Sequence, residues 1–176
     1  MSAAPQVTQI LTPVLKAKAL ETIRIRANQP RPLQALFEPT SIAVVGASPR
    51  PDSVGQAIFR NLLLNGYTGT IYPVNPKHSS IMGVRAYPSV LEIEEDVDMA
   101  ILIIPAVGVP EAVDKCAQKE ILSAIIISAG FKETGPEGAD LETQIYQQAY
   151  EAGISLLGPN CLGLINTDLA ISMNAS

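Results

Sequence analysis

The chain has 176 residues, 47% of them hydrophobic and 16% charged, with a formal net charge of −5. That balance supports a folded domain with a real core and excludes disorder of the whole. It also argues against two classes of partner. The longest apolar stretch, 99–109, is broken by Pro105 and Gly108 and falls short of the roughly 20 residues of a helical membrane span. An acidic body also lacks the many Lys and Arg contacts on which nucleic-acid affinity depends.

The charge is unevenly placed. Residues 1–33 carry Lys16, Lys18, Arg24, Arg26 and Arg31 against Glu21, so this segment is +4 and the remainder −9. Val7, Ile10, Leu11, Val14 and Leu15 recur at helical spacing, which predicts a docking helix or a fraying extension. A transit peptide is the alternative, because the segment is short of acids, whereas a secretory leader is not expected. Pro30, Pro32 and Pro39 then mark a boundary, giving an extension over 1–35 and one domain over 36–176.

Within the domain, continuous apolar runs at 42–45, 70–74, 99–104, 124–128 and 154–157 read as strands buried on both faces. Helical patterns at 53–65, 109–120 and 137–152 separate them, with Gly66 and Gly153 as C-terminal caps. Strand and helix in alternation predict an α/β fold, a Rossmann-like doubly wound and mainly parallel sheet with helices on both faces. In such sheets a ligand lies outside the carboxyl ends of the strands. Here those ends carry the unusual residues: Gly46-Ala47-Ser48, Asn75-Pro76-Lys77, Pro105-Ala106, Ser128-Ala129-Gly130 and Gly158-Pro159-Asn160-Cys161.

After the first run, Gly46 and Gly55 bracket a Ser-bearing loop that opens a helix at Ser53 and Val54. The first amides of a helix have no intrahelical acceptor and sit at the positive end of its dipole, which makes this loop a phosphate cradle. The dinucleotide fingerprint G-x-G-x-x-G is absent, with Ser48 at the second glycine position. After the second run, where an NAD site presents an acid, Asn75-Pro76-Lys77 presents a cation. A lysine there suits an extra phosphate on the ribose, at the 2′ position in NADP or the 3′ position in coenzyme A. A solvated turn lysine is the plain alternative.

Other residues read more simply. Cys116 falls on the core face of its helix. Cys161 has no His/Asp constellation beside it, so it reads as a small half-buried thiol and not a nucleophile. Neither cysteine has metal-type spacing, which suggests reduced thiols in a cytoplasmic setting. The acids Glu92, Glu94, Glu95, Asp96 and Asp98 lack a Gly-centred loop and read as a solvated link, and no metal site is expected.

Taken as an ordered series, Gly46-Ala47-Ser48, Ser53-Val54-Gly55, Asn61-Leu62, Val74-Asn75-Pro76-Lys77, Gly83, Ile104-Pro105-Ala106, Ser128-Ala129-Gly130-Phe131 and the segment 158–163 resemble the CoA-binding domain of NDP-forming acyl-CoA synthetases. This group includes ADP-forming acetate-CoA ligase and the succinate-CoA ligase alpha subunit. The resemblance implies CoA as ligand. Gly46, Ala47, Ser48, Ser53, Val54 and Asn75 would line the nucleotide end, and Lys77 would meet a phosphate. Pro105 and Ala106 would pack along the ligand, Ser128, Gly130 and Phe131 would approach the pantetheine arm, and Asn160 and Cys161 would lie near the thiol.

The family's phosphohistidine and its ATP-grasp module belong to other domains. His78, the one histidine, follows the Asn-Pro-Lys motif and reads as a surface residue. The resemblance therefore implies a chain that binds CoA or acyl-CoA, carries no catalytic residue of its own and is not expected to catalyse ligation alone. Two other readings stay open from the residues: a CoA or acyl-CoA sensor, including the regulatory half of a lysine acetyltransferase, and an NADP-binding oxidoreductase fragment.

Overall fold

A computed structural model describes residues 32–176; the expected docking helix and most of the expected extension lie outside the described residues. A short helix, α1 (Pro32–Phe37), leads into β1 (Ser41–Val45), then α2 (Val54–Leu64) and β2 (Thr70–Val74). Two strands of two residues each follow, β3 (Ser80–Ile81) and β4 (Val84–Arg85), before β5 (Met99–Leu102) and α3 (Val109–Gln118). The chain continues through β6 (Ser123–Ile126), α4 (Pro136–Ala152), β7 (Ser155–Leu157), β8 (Leu164–Asn166) and β9 (Met173–Ala175). Ala35 and Leu36 are buried.

The central sheet is parallel, in the order β2-β1-β5-β6-β7. Every residue of β5 and β6 is buried, which is why these strands read as unbroken apolar runs. The order reverses between β1 and β5: from β1 the chain steps through α2 to β2 on one side, and from β5 through α3 to β6 on the other. Right-handed crossovers then place α2 and α3 on opposite faces. The core divides accordingly. Val109, Val113 and Cys116 of α3 and Ile145 and Ala149 of α4 pack with Ala43, Ala100, Leu102 and Ile126. Ile58, Phe59 and Leu62 of α2 pack with Ile42, Val44, Ile101 and Ile125. Burial holds Cys116 as a neutral thiol, its pKa pushed up to about 12.

Four features depart from the sequence reading. β5 and β6 end at Leu102 and Ile126, short of the expected 104 and 128, because the Ser128 hydroxyl takes over the ladder, donating to the Ile104 carbonyl and accepting from the Ile104 N–H at 3.1 Å. The β3–β4 hairpin turns through Met82 and Gly83, with φ of 51° and 82°. β8 and β9 pair antiparallel, and Met173 and Ala175 close the α2 face of the core. Asp98, expected as part of a solvated acidic link, is half-buried instead. Its Oδ2 accepts from the Thr40 N–H at 2.7 Å, the Thr40 hydroxyl at 2.6 Å and the Ser41 N–H at 3.2 Å, pinning the start of β1. Among the described residues no helix is long and apolar enough to cross a membrane.

Candidate functional site

The carboxyl ends of β1, β2 and β5 converge where the strand order reverses, the place at which open α/β sheets leave a crevice. Gly46 follows β1 with φ of 93°, and its N–H donates to the Val74 carbonyl at 3.0 Å. A Cβ there would stand 2.1 Å from the Ile103 carbonyl oxygen, so only glycine allows β1 and β5 to close up. Gly55 repeats the device, since its Cβ would stand 2.1 Å from the Gly46 carbonyl oxygen. The first turn of α2 therefore rests directly on the end of β1.

The loop between them is held by its own serines. Ser48 Oγ accepts from the Arg50 N–H at 3.1 Å. Ser53 is the N-cap of α2, accepting from the Gln56 N–H at 3.3 Å and donating to the Arg50 carbonyl at 2.8 Å. That arrangement occupies the hydroxyls and leaves the amides of the first turn, at Val54 and Gly55, facing outward from the helix end. Asn75 ties the next strand end to this loop: its Nδ2 donates to the Ala47 carbonyl at 2.8 Å and its Oδ1 accepts from the Lys77 N–H at 2.8 Å. Both ends of the amide are spent on the rim itself.

Between these strand ends and α3 lies a cleft of about 460 Å³. Its walls are Val45 and Gly46, the segment 74–77, Pro88 to Val90, Ile103 to Pro105, and Gly108, Glu111, Ala112 and Lys115 from the approach and body of α3. Two lysines line it. Lys77 is exposed and has no carboxylate partner among the described residues. Lys115 pairs with Glu111 at 2.7 Å, one helical turn away. That hydrogen bond and charge hold the Glu111 carboxyl below the usual range.

Of the expected residues, Gly46, Asn75, Lys77 and Pro105 line the cleft, and Ala47, Ser48, Ser53 and Val54 form the loop that continues from Gly46. Ala106, Ser128, Gly130, Phe131, Asn160 and Cys161 lie on the rim beyond it. A Cβ on Gly130 would meet the Ala106 Cβ at 3.1 Å, and the Asn160 N–H donates to the Ser128 carbonyl at 3.0 Å, so these loops are drawn together. The Gly130 N–H donates to Glu133 Oε1 at 2.6 Å and keeps that carboxyl below its ordinary range. Phe131 is fully buried, backbone included, and packs in the core beneath the Gly130 loop. Cys161 is half-buried against the α2 side, its thiol donating to the Ile126 carbonyl at 3.4 Å.

The residues missed from sequence are those of the far wall. Glu111 and Lys115 are legible as a helical i,i+4 pair, but nothing in their spacing says that this face looks into a cleft. Pro88 to Val90 are carried there by the β3–β4 hairpin, itself too short to show a pattern.

Comparison with known proteins agrees with this geometry. Residues 40–167 match the family described as CoA binding domain. The chain is 50% identical over 144 residues to an ADP-forming acetate–CoA ligase of Archaeoglobus fulgidus, covering 82% of this chain and 20% of that protein. It is 45% identical over 139 residues to an ADP-forming acetate–CoA ligase alpha subunit of Pyrococcus furiosus, covering 77% and 30%. Among solved structures, a dinucleotide-forming acetyl-coenzyme A synthetase of Ca. Korarchaeum cryptofilum, in complex with phosphate and ADP, superposes with a TM-score of 0.76 at 38% identity, covering 82% of this chain and 30% of that one. The chain thus spans a fifth to a third of the length of these three relatives. With its doubly wound sheet, its cradle at Gly46 and its match over 40–167, the chain belongs to the family of CoA-binding domains seen in ADP-forming acyl-CoA synthetases.

Proposed function

We propose that the cleft takes the phosphorylated adenosine of CoA, that the diphosphate lies over the Gly46 loop and the first amides of α2, and that the pantetheine arm follows the rim past Pro105, Ala106, Ser128 and Gly130 towards Asn160 and Cys161. The whole protein, on this reading, is an ADP-forming ligase that joins an acid to CoA at the expense of ATP. The share of these residues is to bind and orient CoA, while an ATP-grasp module and a phosphohistidine domain, in the same polypeptide or a partner, carry the phosphoryl transfer. A reducing, cytoplasmic setting suits the free thiols Cys116 and Cys161.

The observation that carries this reading is Lys77, exposed and without a carboxylate partner among the described residues, on a cleft whose floor only glycine permits. A charge-assisted contact of that kind is worth about tenfold in affinity. Calorimetric titration of the wild type with CoA should show binding, and Lys77→Ala should lose about tenfold for CoA and little for dephospho-CoA. Absence of heat with millimolar CoA, or tighter binding of NADPH than of CoA, would overturn it.

A further inference from the structure

We infer that Lys115 is a second cation for the ribose phosphate of CoA, held by Glu111 while the cleft is empty and exchanged from that carboxylate to the phosphate when the ligand enters. The inference rests on the CoA reading above and adds to it a residue outside every motif used to reach it. A phosphomonoester carries a charge of about −1.5 to −2 near neutral pH and three strong acceptor oxygens. One ammonium, Lys77, leaves much of that charge unbalanced in a partly enclosed cleft. Lys115 lines the same cleft, on the second turn of α3.

Its present partner is weakly committed. The Glu111–Lys115 pair spans one turn of an exposed helix face, with side-chain exposures of 75% for Glu111 and 38% for Lys115. Such pairs contribute little because water competes for both charges. A dianion offers Lys115 more than Glu111 does, and the ammonium, on a four-carbon stem, needs only rotamer changes to swing across. Glu111 is then released to solvent, where its exposure already places it. The cleft thus presents one free cation when empty and two when filled, which favours ligands with a terminal monoester over those ending in a bare ribose.

Titration of CoA and dephospho-CoA into the wild type, Lys115→Met, Glu111→Gln and Lys77→Ala tests this, with Met keeping an unbranched aliphatic stem without the charge. Lys115→Met should cut the preference for CoA over dephospho-CoA about fivefold to tenfold with dephospho-CoA affinity unchanged. Glu111→Gln should tighten CoA by about twofold to fivefold at low salt, since the competing pair is lost. Equal losses for both ligands in Lys115→Met, or no loss, overturn the assignment while leaving the CoA reading intact if Lys77→Ala still lowers the preference. If the wild type itself binds no CoA, the broader reading fails and this one with it. Unchanged thermal melting of Lys115→Met excludes misfolding as the cause of a loss.

Discussion

Gly55→Ala sets two effects of opposite sign against each other. Gly55 is the second residue of α2, and alanine is the better helix former by about 1 kcal/mol, so propensity alone predicts a more stable protein. Packing predicts the reverse. The new Cβ would stand 2.1 Å from the Gly46 carbonyl oxygen, 3.2 Å from its carbon and 3.5 Å from the Ala47 Cα. Carbon and oxygen sit no closer than about 3.3 Å even in favourable contacts, so the helix must retreat by about 1 Å. The strand end cannot yield in its place, because the Gly46 N–H is bonded to Val74 and the Ala47 carbonyl to Asn75. Overpacking against fixed backbone costs about 1–3 kcal/mol or more, which outweighs the propensity gain. The expected result is a net loss of about 1–2 kcal/mol, seen as a melting temperature lower by roughly 2–8 °C, together with weaker CoA binding as the first amides of α2 move off the ligand. Circular dichroism melting and calorimetry measure the two quantities. A variant that melts higher and binds CoA as the wild type does would refute the close approach of α2 to β1 as the basis of the cradle.

Asp98→Ala tests the opposite end of the sheet. It strands three donors at the start of β1, two of them backbone, and should cost about 1–3 kcal/mol in urea denaturation while leaving CoA affinity unchanged, since the cleft lies at the other strand ends. A parallel loss of affinity would mean that the rim is not independent of the strand starts. Cys116 gives a pH dependence: its folded pKa lies above the ordinary 9.0, at about 12. The buried thiol therefore contributes stability that is fully present below pH 9.0 and is lost as the pH rises through about 12, because only the unfolded chain ionises in that window. Replacing it as Cys116→Ala should flatten the fall in stability over that range, and native protein at pH 8 should take up iodoacetamide at Cys161 and not at Cys116, as peptide mass spectrometry would show.

The sheet was legible because it is buried on both sides. Runs such as 99–102 and 124–126 have no polar face to hide, so apolar continuity marks the strand, and Ser53 and Gly153 mark helix ends by capping chemistry that acts locally. The two hairpins were not legible for the same reason in reverse. With two residues to each strand of β3–β4 and three to each of β8–β9, no period can declare itself, and Met82 occupies a left-handed turn position where Asn or Asp would have signalled it.

At the site the division falls differently. Gly46, Gly55, Asn75 and Ser128 stood out as motif residues, and in the structure each is spent on joining one strand end to its neighbour: two by admitting backbone, two by bonding it. Such residues leave a mark in sequence because backbone geometry tolerates no substitute. Charge tolerates many, and that is why Lys115 left none. An ammonium can reach a phosphate from several turns of several helices, so its position follows from the packing of α3 and from no local pattern. On the proposed reading, the motif residues trace the path of the ligand along the rim, whereas the choice among anionic groups falls to lysines that only the assembled fold brings to one cleft.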